Sequence, residues 1–543
     1  MKEMKRREFL AVAGAFAGMS RLRRVALALR PLPFGDSDEG SPSRLSFITS
    51  DKRYQAIYTA ALDVLNRNVS TVWRYPRPVL TEGSSYRGIW LECAPHEGLA
   101  YSLIRPDMAR NNHLAFFAAQ RADGQLPCWI RTDAAGFAQI QMVVPIAATA
   151  WELSQQTGDS ELLEKAYRAC SLWDAWLRRY RDTRRTGLCE GFCTWDTGED
   201  NSPRWKGIPN RCPDGDARKC PPVRSLPRLC PDLSATLYGG RIALAAMAQA
   251  LGKSSEHDEW LSRAEAVRSA IVKRLFVADG AAFYDVDAEN HFVRIRGGAI
   301  LRVLSEHVVH EKLFDAIWDR QIHNPSAFWA PFPFPSIALN DPAFVRPIQP
   351  NSWGGPSQAL TALRAPRWME HYGKPAELAH LMQQWSSAIL REGKFLQQLD
   401  PLNGAFTPDT PGYSPAALAF VDFTWRLSGV RQQGDILEWN VRPPAHRGEA
   451  DFRLRFGQSH FAELRYRSGA AELHVDSRRI CRTRSTVRLL TSLDGTLQNA
   501  VGIAAEPATV KLKLATGHQP EFLLEPNQRI NVGVASKPQK SLQ

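Results

Sequence analysis

Residues 140–180, IQMVVPIAATAWELSQQTGDSELLEKAYRACSLWDAWLRRY, contain two helical patterns separated by a short turn. Apolar residues recur three or four positions apart over Ile140–Trp151, and again over Leu162–Tyr180. Gly158-Asp159-Ser160 lies between them, where glycine commonly ends one helix and a short polar side chain caps the next. The stretch therefore predicts an antiparallel helical hairpin.

Two further stretches, 234–275 and 356–391, repeat this pattern. Weaker helical patterns fall at 53–68, 97–120, 298–306, 311–321 and 415–427. Together they predict eleven or twelve helices in antiparallel pairs. The pairs follow no fixed sequence period, which favours a closed ring over an open solenoid. We therefore expect a mainly α protein with an (α/α)6 toroid, a ring of six helical hairpins, at residues 51–430.

The hydrophobic pattern changes after Gly429. Apolar residues alternate with arginines over 452–456, and similar short alternating runs continue to residue 534. A period of two in short runs, separated by Gly, Asp and Ser, is typical of antiparallel strands. We expect a small antiparallel β-sandwich at residues 431–535, followed by a tail at 536–543.

Charge is distributed unevenly along the 543 residues. The chain has 68 basic and 56 acidic residues, a formal net charge of +12. Residues 1–30 and 431–543 each carry +6, so residues 31–430 carry no net charge, and 15 of the 16 tryptophans lie in that neutral region. A nucleic-acid-binding domain would concentrate positive charge. This distribution argues against a nucleic-acid partner and favours a neutral sugar.

Residues 1–30 look like an export signal. A basic start with Arg6-Arg7 precedes the apolar stretch Ala11–Met19, which is too short to span a bilayer. KRREFL at residues 5–10 resembles the twin-arginine export motif; a basic amphipathic helix is the alternative. We expect residues 31–50 to be a linker. The mature protein should be a soluble monomer, periplasmic or secreted, with no integral membrane segment after signal removal.

Five of the nine cysteines fall within 42 residues: Cys189, Cys193, Cys212, Cys220 and Cys230. Their spacings match no common zinc pattern. Because an exported protein reaches an oxidising compartment, we favour one or two disulfides across this long loop, with the pairing open. Buried free thiols and a metal site are the alternatives.

Residues 193–205, CTWDTGEDNSPRW, place Asp196, Glu199 and Asp200 beside Trp195 and Trp205. Hydrolysis of a glycosidic bond needs a protonated carboxyl for the leaving oxygen and a second carboxylate on the opposite face. Apolar surroundings and neighbouring carboxylates keep such an acid protonated, and aromatic faces suit stacking on sugar rings. By spacing alone, an acidic loop that caps the next helix explains the stretch as well.

The same stretch resembles the acid-bearing loop of glycoside hydrolase family 63, in the trehalase-like clan of six-hairpin glycosidases. Four other segments resemble that family in the expected order: GIWLECAPHEGLAY (88–101), QRADGQLP (120–127), the helix at 231–252, and NSWGGPSQAL (351–360), where Gly354 replaces the family arginine. The resemblance covers residues 85–428. It implies a glycosidase acting on an α-linked oligosaccharide or glycoside by inversion.

The resemblance also assigns roles to residues. The family's general acid maps onto Asp200, and Glu92 lies near a family aspartate, which makes it a second catalytic candidate. The substrate-binding residues we expect are Trp90, His96, Trp195, Glu199, Trp205 and Trp353. We expect no cofactor and no metal.

One position departs from the family. Its general base is a glutamate, and Gln397 stands there in FLQQLDPLNG (395–404). An amide cannot accept a proton from water. One explanation is that another carboxylate serves as the base; the candidates are Glu92, Glu392, Asp400 and Asp409. A second is that an anion such as phosphate replaces water, giving a phosphorylase. The third is a carbohydrate-binding protein that turns substrate over poorly.

The sequence thus favours an exported glycosidase, with the phosphorylase and the impaired binding protein as alternatives. A polysaccharide lyase on the same toroid would need a Tyr or His base and a cationic site for uronates. The neutral toroid region argues against that class.

Overall fold

The computed structural model describes residues 43–442 and 448–532. The predicted export signal, most of the predicted linker and the predicted tail therefore lie outside the described residues. Among the helices that are described, none is both long and apolar enough to cross a membrane.

Twelve α-helices occur in the described chain. They are α1 (Lys52–Arg67), α2 (Ala94–Tyr101), α3 (Pro106–Ala118), α4 (Ile146–Thr157), α5 (Ser160–Tyr180), α6 (Pro231–Ala250), α7 (Ser254–Leu275), α8 (Ala299–Ser305), α9 (Glu311–Ile317), α10 (Ala359–Met369), α11 (Pro375–Glu392) and α12 (Ser414–Ser428). The even-numbered helices contact one another in succession, and α12 contacts α2, which closes an inner ring. Helices α3, α5, α7 and α11 each pack on the preceding inner helix, and α1 packs on α12. The predicted (α/α)6 toroid is confirmed.

The residue pattern explains which helices lie inside. Helix α12, SPAALAFVDFTWRLS, is buried except for Asp422 and Arg426, whereas α5 exposes charged residues along one face. The predicted hairpin at 140–180 forms helices α4 and α5. Gly158 ends α4 in the left-handed conformation, and the Asp159 side chain caps α5 by accepting from the Leu162 N–H at 2.9 Å. The single helix expected at 97–120 is two helices, because Pro106 starts a new one.

Short strands connect the helices of the ring. They are β2 (Val69–Val72), β3 (Tyr75–Leu80), β4 (Ile89–Trp90), β5 (Trp129–Ile130), β6 (Ala135–Gly136), β7 (Glu190–Gly191), β8 (Arg228–Leu229), β9 (Phe276–Val277), β10 (Ala282–Phe283), β11 (Asp285–Val286), β12 (Phe292–Val293), β13 (Ser357–Gln358) and β14 (Gln398–Leu399). Strands β4–β6 form one small sheet, and β12-β11-β8-β7 form another. These ladders fix the loops that carry the site described below.

The C-terminal region contains two antiparallel sheets. Its strands are β15 (Val430–Gln433), β16 (Ile436–Val441), β17 (Ala450–Phe456), β18 (His460–Arg467), β19 (Ala470–Val475), β20 (Arg478–Thr483), β21 (Val487–Ser492), β22 (Leu497–Val501), β23 (Ala508–Leu514), β24 (Glu521–Leu524) and β25 (Arg529–Asn531). One sheet has the order β15-β16-β21-β22-β25. The other continues from β17 through β18, β19, β20 and β23 to β24.

The chain before the toroid also joins this sandwich. Residues Leu45–Thr49, which we assigned to the linker, instead form strand β1 and pair with β17. Phe47 explains the difference, because its buried ring lies 4.6 Å from that of Phe452. On the other sheet, Arg488 forms a bidentate ion pair with Glu370 of the toroid at 2.7 and 2.9 Å. The sandwich is thus fastened to the ring by both sheets.

Candidate active site

One pocket of about 130 Å³ brings together side chains from six distant segments of the toroid. Its lining residues are Glu82, Tyr86, Trp90, Glu92, Trp129, Arg131, Gln139, Gln141, Trp195, Gly198, Asp200, Arg211, Trp353, Leu360, Gln397 and Tyr413. Six of the nine predicted site residues are among them: Trp90, Glu92, Trp195, Asp200, Trp353 and Gln397. The tertiary structure therefore assembles most of the predicted site in one place.

The loop that carries Asp200 is held by a buried ion pair. Asp196 contacts the Arg181 guanidinium at 2.5 Å, and both side chains are fully buried. The Asp196 carboxylate also accepts backbone N–H groups of Phe192 at 2.7 Å and Ile140 at 2.8 Å. With all these donors around it, Asp196 serves to fold the loop and does not reach the pocket.

Asp200 lies at the end of that loop and faces the pocket. Its Oδ2 accepts a hydrogen bond from Asn351 Nδ2 at 3.1 Å, and its main-chain oxygen accepts from the Trp353 N–H at 2.9 Å. Burial raises the pKa of Asp200, while hydrogen bonds from Asn351 and Trp195 act in the opposite direction. A partly buried carboxyl with a raised pKa can act as a general acid.

In space, one side chain, that of Asn351, lies between Gln397 and Asp200. Its Oε1 accepts from the Tyr86 hydroxyl at 3.2 Å, and its Nε2 donates to Asn351 Oδ1 at 3.2 Å. Because the amide of Asn351 bridges Gln397 and Asp200, their polar ends lie within about 9 Å of each other, no farther apart than the ~6.5–9.5 Å that separates acid and base in inverting glycosidases. The residue at the family's base position thus lines the pocket but is chemically neutral.

Glu92 supplies a carboxylate to the same pocket. It is 7% exposed, and its Oε2 has no hydrogen-bond partner. Gly198 packs closely against the Glu92 carboxylate, so that a Cβ at position 198 would lie 1.6 Å from Glu92 Oε2. Burial raises the pKa of Glu92 to about 7, although the guanidiniums of Arg364 and Arg302 oppose the rise.

Glu82 is a third carboxylate in the pocket lining, and no sequence motif pointed to it. The Tyr413 hydroxyl donates to its Oε1 at 2.7 Å. Burial, and then the neighbouring carboxylates Glu97 and Glu92, raise the pKa of Glu82 well above its usual range. Its surroundings therefore favour the protonated form of Glu82.

Comparison with known families agrees with this geometry. The model of the family described as "Mannosylglycerate hydrolase MGH1-like glycoside hydrolase domain" matches residues 86–425, more than half of the chain. The chain belongs to this glycoside hydrolase family. It is therefore a glycosidase, and its substrate is a carbohydrate. No curated protein matches the chain by sequence.

Solved structures share the toroid. A GH63 mannosylglycerate hydrolase from Thermus thermophilus, in complex with Tris and D-glycerate, is 21% identical with a TM-score of 0.56, covering 68% of this chain and 100% of that one. The neutral trehalase Nth1 from Saccharomyces cerevisiae is 13% identical with a TM-score of 0.50, covering 68% and 80%. A GH78 family rhamnosidase of Bacillus sp. GL1 is 11% identical with a TM-score of 0.56, covering 80% and 42%. These likenesses confirm the six-hairpin glycosidase fold.

Two predicted substrate contacts of this glycosidase lie behind the pocket wall instead. Glu199 is 2% exposed and joins Arg204 at 3.4 Å and Arg302 at 3.6 Å. Trp205 is also 2% exposed, and its Nε1 donates to Thr197 Oγ1 at 2.9 Å. Both residues lie beneath the acid-bearing loop and do not line the pocket, so their contact with substrate stays a prediction.

His96 is the third predicted contact outside the pocket. It belongs to α2, is 6% exposed, and its Nδ1 has no hydrogen-bond partner. Burial lowers the pKa of His96 well below its usual range, and the guanidiniums of Arg367 and Arg364 act in the same direction. His96 is therefore a neutral group inside the ring.

Three other candidates for the base do not line the pocket. Glu392 lies at the end of α11, beside Arg391. Asp400 forms an ion pair with Arg346 at 2.8 Å, and Asp409 is exposed. Of the four carboxylates that the sequence offered in place of Gln397, only Glu92 reaches the site.

The structure contains no disulfide among the nine cysteines, all of which fall in its described part. The Sγ atoms of Cys193 and Cys212 lie 3.8 Å apart, well beyond the ~2.05 Å of a disulfide bond. These two and Phe192 form a small buried cluster, against which Cys220 packs. The structure therefore differs from the predicted disulfides and agrees with the alternative, free and mostly buried thiols.

Potential metal ligands are largely occupied by arginines. Within the described residues, three groups have suitable spacing: Cys193/Asp196/Cys212, Cys230/Asp232/Asp285 and Asp287/Glu289/His291. Arg181 binds Asp196, and Arg204 binds both Asp232 and Asp285 at 2.6–2.7 Å. The third group lies on an exposed turn where Asp287 already accepts backbone N–H groups. None of these groups lies in the pocket lining.

Two arginines at the pocket rim were also missed. Arg211 lies 4.7 Å from the ring centre of Trp195, and Arg131 lies 4.8 Å from that of Trp129. Both side chains are exposed, and neither forms part of a motif. Asn351 could have been recognised, since it begins the NSWGGPSQAL segment. Glu82 could not, because its partner Tyr413 lies 331 residues away.

Proposed function

We propose that this protein is an exported, monomeric glycosidase that cleaves an α-linked glycoside with an anionic leaving group, by inversion. Asp200 acts as the general acid and Glu92 as the general base. The observation that carries the proposal is that Asp200 and Glu92 line one pocket, with raised pKa values on both.

Two carboxyls in one pocket support opposite proton roles. The charge of Asp200 raises the pKa of Glu92, so ionisation of one opposes ionisation of the other. The active form of the pair is the one in which Asp200 carries a proton and Glu92 is ionised. Asp200 gives its proton to the leaving oxygen, and Glu92 accepts one from the attacking water.

Glu92 is favoured over Glu82 as the base by its protonation state. A base must be ionised, and its pKa is best placed near the working pH. The pKa of Glu92 is about 7, whereas the pKa of Glu82 is raised well above its usual range. Protonated Glu82, held by Tyr413, is suited to hydrogen-bond a sugar hydroxyl.

The rim arginines support an anionic leaving group. Arg211 stacks over Trp195, the residue that also hydrogen-bonds Asp200, so its charge lies on the leaving-group side of the pocket. Arg131 lies over Trp129 on the same rim. Guanidinium groups bind carboxylates in a bidentate manner. The Thermus relative is named for mannosylglycerate, in which the leaving group is a carboxylic acid.

The test of the acid is Asp200→Asn, with Asp409→Asn as a control on an exposed carboxyl. Asp200→Asn should lower kcat/KM for mannosylglycerate or a simple alkyl glycoside by about 10²–10⁴-fold. The loss should be much smaller for a glycosyl fluoride, whose leaving group needs little protonation. Asp409→Asn should behave as wild type. A loss below tenfold for Asp200→Asn on the alkyl glycoside would reject Asp200 as the acid.

The base is tested with Glu92→Ala and added azide. We expect azide to restore turnover and to give a glycosyl azide of inverted configuration, because a small anion fills the space of the carboxylate. Proton NMR of the wild-type product should show the β-anomer first. If turnover instead requires phosphate and releases a sugar 1-phosphate, the protein is a phosphorylase. If sugar binds and neither reaction occurs, it is a binding protein.

Export rests on residues 1–30 alone. Fusing them to a reporter should move it out of the cytoplasm of a bacterial host, and replacing Arg6 and Arg7 by lysines should block that movement. Retention of the intact fusion in the cytoplasm would reject the signal. Light scattering of the purified protein should give about the monomer mass of 60.8 kDa, less any cleaved signal.

A further inference from the structure

Four side chains form a directional hydrogen-bond chain that ends on Asp200. The Tyr86 hydroxyl donates to Gln397 Oε1 at 3.2 Å, Gln397 Nε2 donates to Asn351 Oδ1 at 3.2 Å, and Asn351 Nδ2 donates to Asp200 Oδ2 at 3.1 Å. Each link uses the acceptor end of one group and the donor end of the next. The direction of the chain is therefore set as a whole.

The backbone on both sides of this chain is fixed. The main-chain oxygen of Asn351 accepts from Asn201 Nδ2 at 2.7 Å, and that of Gln397 accepts from the Ala359 N–H at 2.9 Å. Strands β13 and β14 pair directly beside Gln397. Asn351 meets Asp200 through its amide, so either the nitrogen end or the oxygen end can face that carboxyl.

We propose that Gln397 is a positioning residue, which acts through Asn351 to keep an N–H donor on the Asp200 carboxyl and so sets the pH at which Asp200 releases its proton. This inference rests on the proposed role of Asp200 as the acid. It gives position 397 a function that needs an amide, in place of the carboxylate that the family has there.

The physical reason is the difference between an amide and a carboxylate. An ionised carboxylate only accepts hydrogen bonds, whereas the amide of Gln397 offers a donor to Asn351 Oδ1. A donor on Asp200 stabilises its ionised form. With glutamate at 397, Asn351 would turn its Nδ2 towards that residue and present Oδ1 to Asp200. An oxygen facing Asp200 favours the protonated acid.

Other charged groups around Asp200 must be kept constant in a test. Glu82 and Glu92 line the same pocket, and Arg131 and Arg211 lie at its rim. A charged residue at 397 would add a direct electrostatic effect on Asp200. An uncharged substitution of similar length therefore separates the hydrogen-bond chain from direct repulsion.

The experiment is the pH dependence of kcat/KM for Gln397→Met, alone and in an Asn351→Ala background. Activity that needs protonated Asp200 is lost as pH rises through its pKa. This loss forms the alkaline limb of the pH profile. Gln397→Met should move the midpoint of the alkaline limb up by about one pH unit, which raises activity on the alkaline side by about tenfold relative to the optimum. In the Asn351→Ala background the same change should move nothing, because the link is already broken.

Gln398→Met is the matched control. Gln398 is a buried glutamine next in sequence whose amide binds the backbone of the loop that carries Asn351, at 2.7 Å to the Gln349 oxygen and at 3.0 Å from the Ser352 N–H, without a hydrogen bond to the Asn351 side chain. Its removal should lower stability and leave the limb in place. If Gln397→Met does not fold, Gln397→Glu replaces it and is measured both with Asn351 present and with Asn351→Ala. The difference between the two shifts of the alkaline limb then measures the effect that passes through Asn351.

The inference is overturned if the limb does not move, if it moves equally without Asn351, or if Gln398→Met moves it as far. These outcomes differ from failure of the proposed function. If Asp200→Asn retains full activity, the acid assignment itself is wrong. If Asp200 is required and the limb stays in place, only the role of Gln397 is wrong.

Discussion

Replacing Glu92 by glutamine should stabilise the fold while it removes activity. In the folded protein the pKa of Glu92 is about 7, compared with an ordinary value of 4.5. A carboxyl whose pKa is raised by folding binds its proton more tightly in the folded state. The free energy of unfolding therefore falls as pH rises from the lower value to the higher one, and it stays lowered above that range.

The size of the effect follows from the shift. At about 1.4 kcal/mol per pH unit, burial of this carboxylate lowers the free energy of unfolding by about 3 kcal/mol above neutral pH. Glutamine resembles the protonated acid and cannot ionise. Glu92→Gln should therefore match wild type at about pH 4 and exceed it by about 3 kcal/mol at about pH 8. Urea unfolding at the two pH values measures this difference.

Glu306 provides the matched control. It is also buried, its pKa is also raised to about 7 by burial, and it lies outside the pocket near Arg367. Glu306→Gln should give a similar gain in stability and retain glycosidase activity. The reasoning fails if Glu92→Gln gains no stability between the two pH values, because the carboxyl would then be ionised at no cost. It also fails if Glu92→Gln remains fully active.

Three further predictions concern the loop and the rim. Gly198→Ala should keep the fold but lower activity at least tenfold, as measured by kcat, because its Cβ would displace the Glu92 carboxylate; wild-type kcat would contradict this. Asp196→Asn leaves the Arg181 charge buried without its partner and should cost about 3–5 kcal/mol of unfolding free energy. A cost below about 1 kcal/mol, the range of exposed pairs, would show that water reaches the pair. Arg211→Ala should raise KM for a substrate with a carboxylate leaving group about tenfold and leave neutral aryl glycosides unchanged; equal effects on both substrates would reject charge recognition.

The fold could be predicted from sequence because its signals are local. The Gly158-Asp159-Ser160 turn separates two apolar periodicities, and the structure begins and ends helices there. The alternation after Gly429 likewise becomes paired strands. Strand β1 was missed because its pairing with β17 joins residues about four hundred positions apart, and five residues carry too weak a pattern alone.

The site was predicted only in part. Asp200, Glu92 and the pocket tryptophans lie in recognisable motifs, and the structure brings them together. Motif membership could not separate Asp200, which faces the pocket, from Glu199, one residue earlier, which pairs with buried arginines. That difference depends on how the loop turns, and Asp196 and Arg181 decide the turn.

By itself, then, the sequence determined the toroid, the sandwich, the glycosidase class and the neutral residue at position 397. Only the tertiary structure decided which carboxylates share the pocket, because that depends on contacts between segments hundreds of residues apart. It also decided their ionisation, since a pKa is set by burial and by the charges that folding places nearby. Gln397 shows both limits. The sequence shows that position 397 holds a residue that cannot act as a base. The hydrogen bonds of Gln397 to Tyr86 and Asn351 show which contacts its amide forms instead.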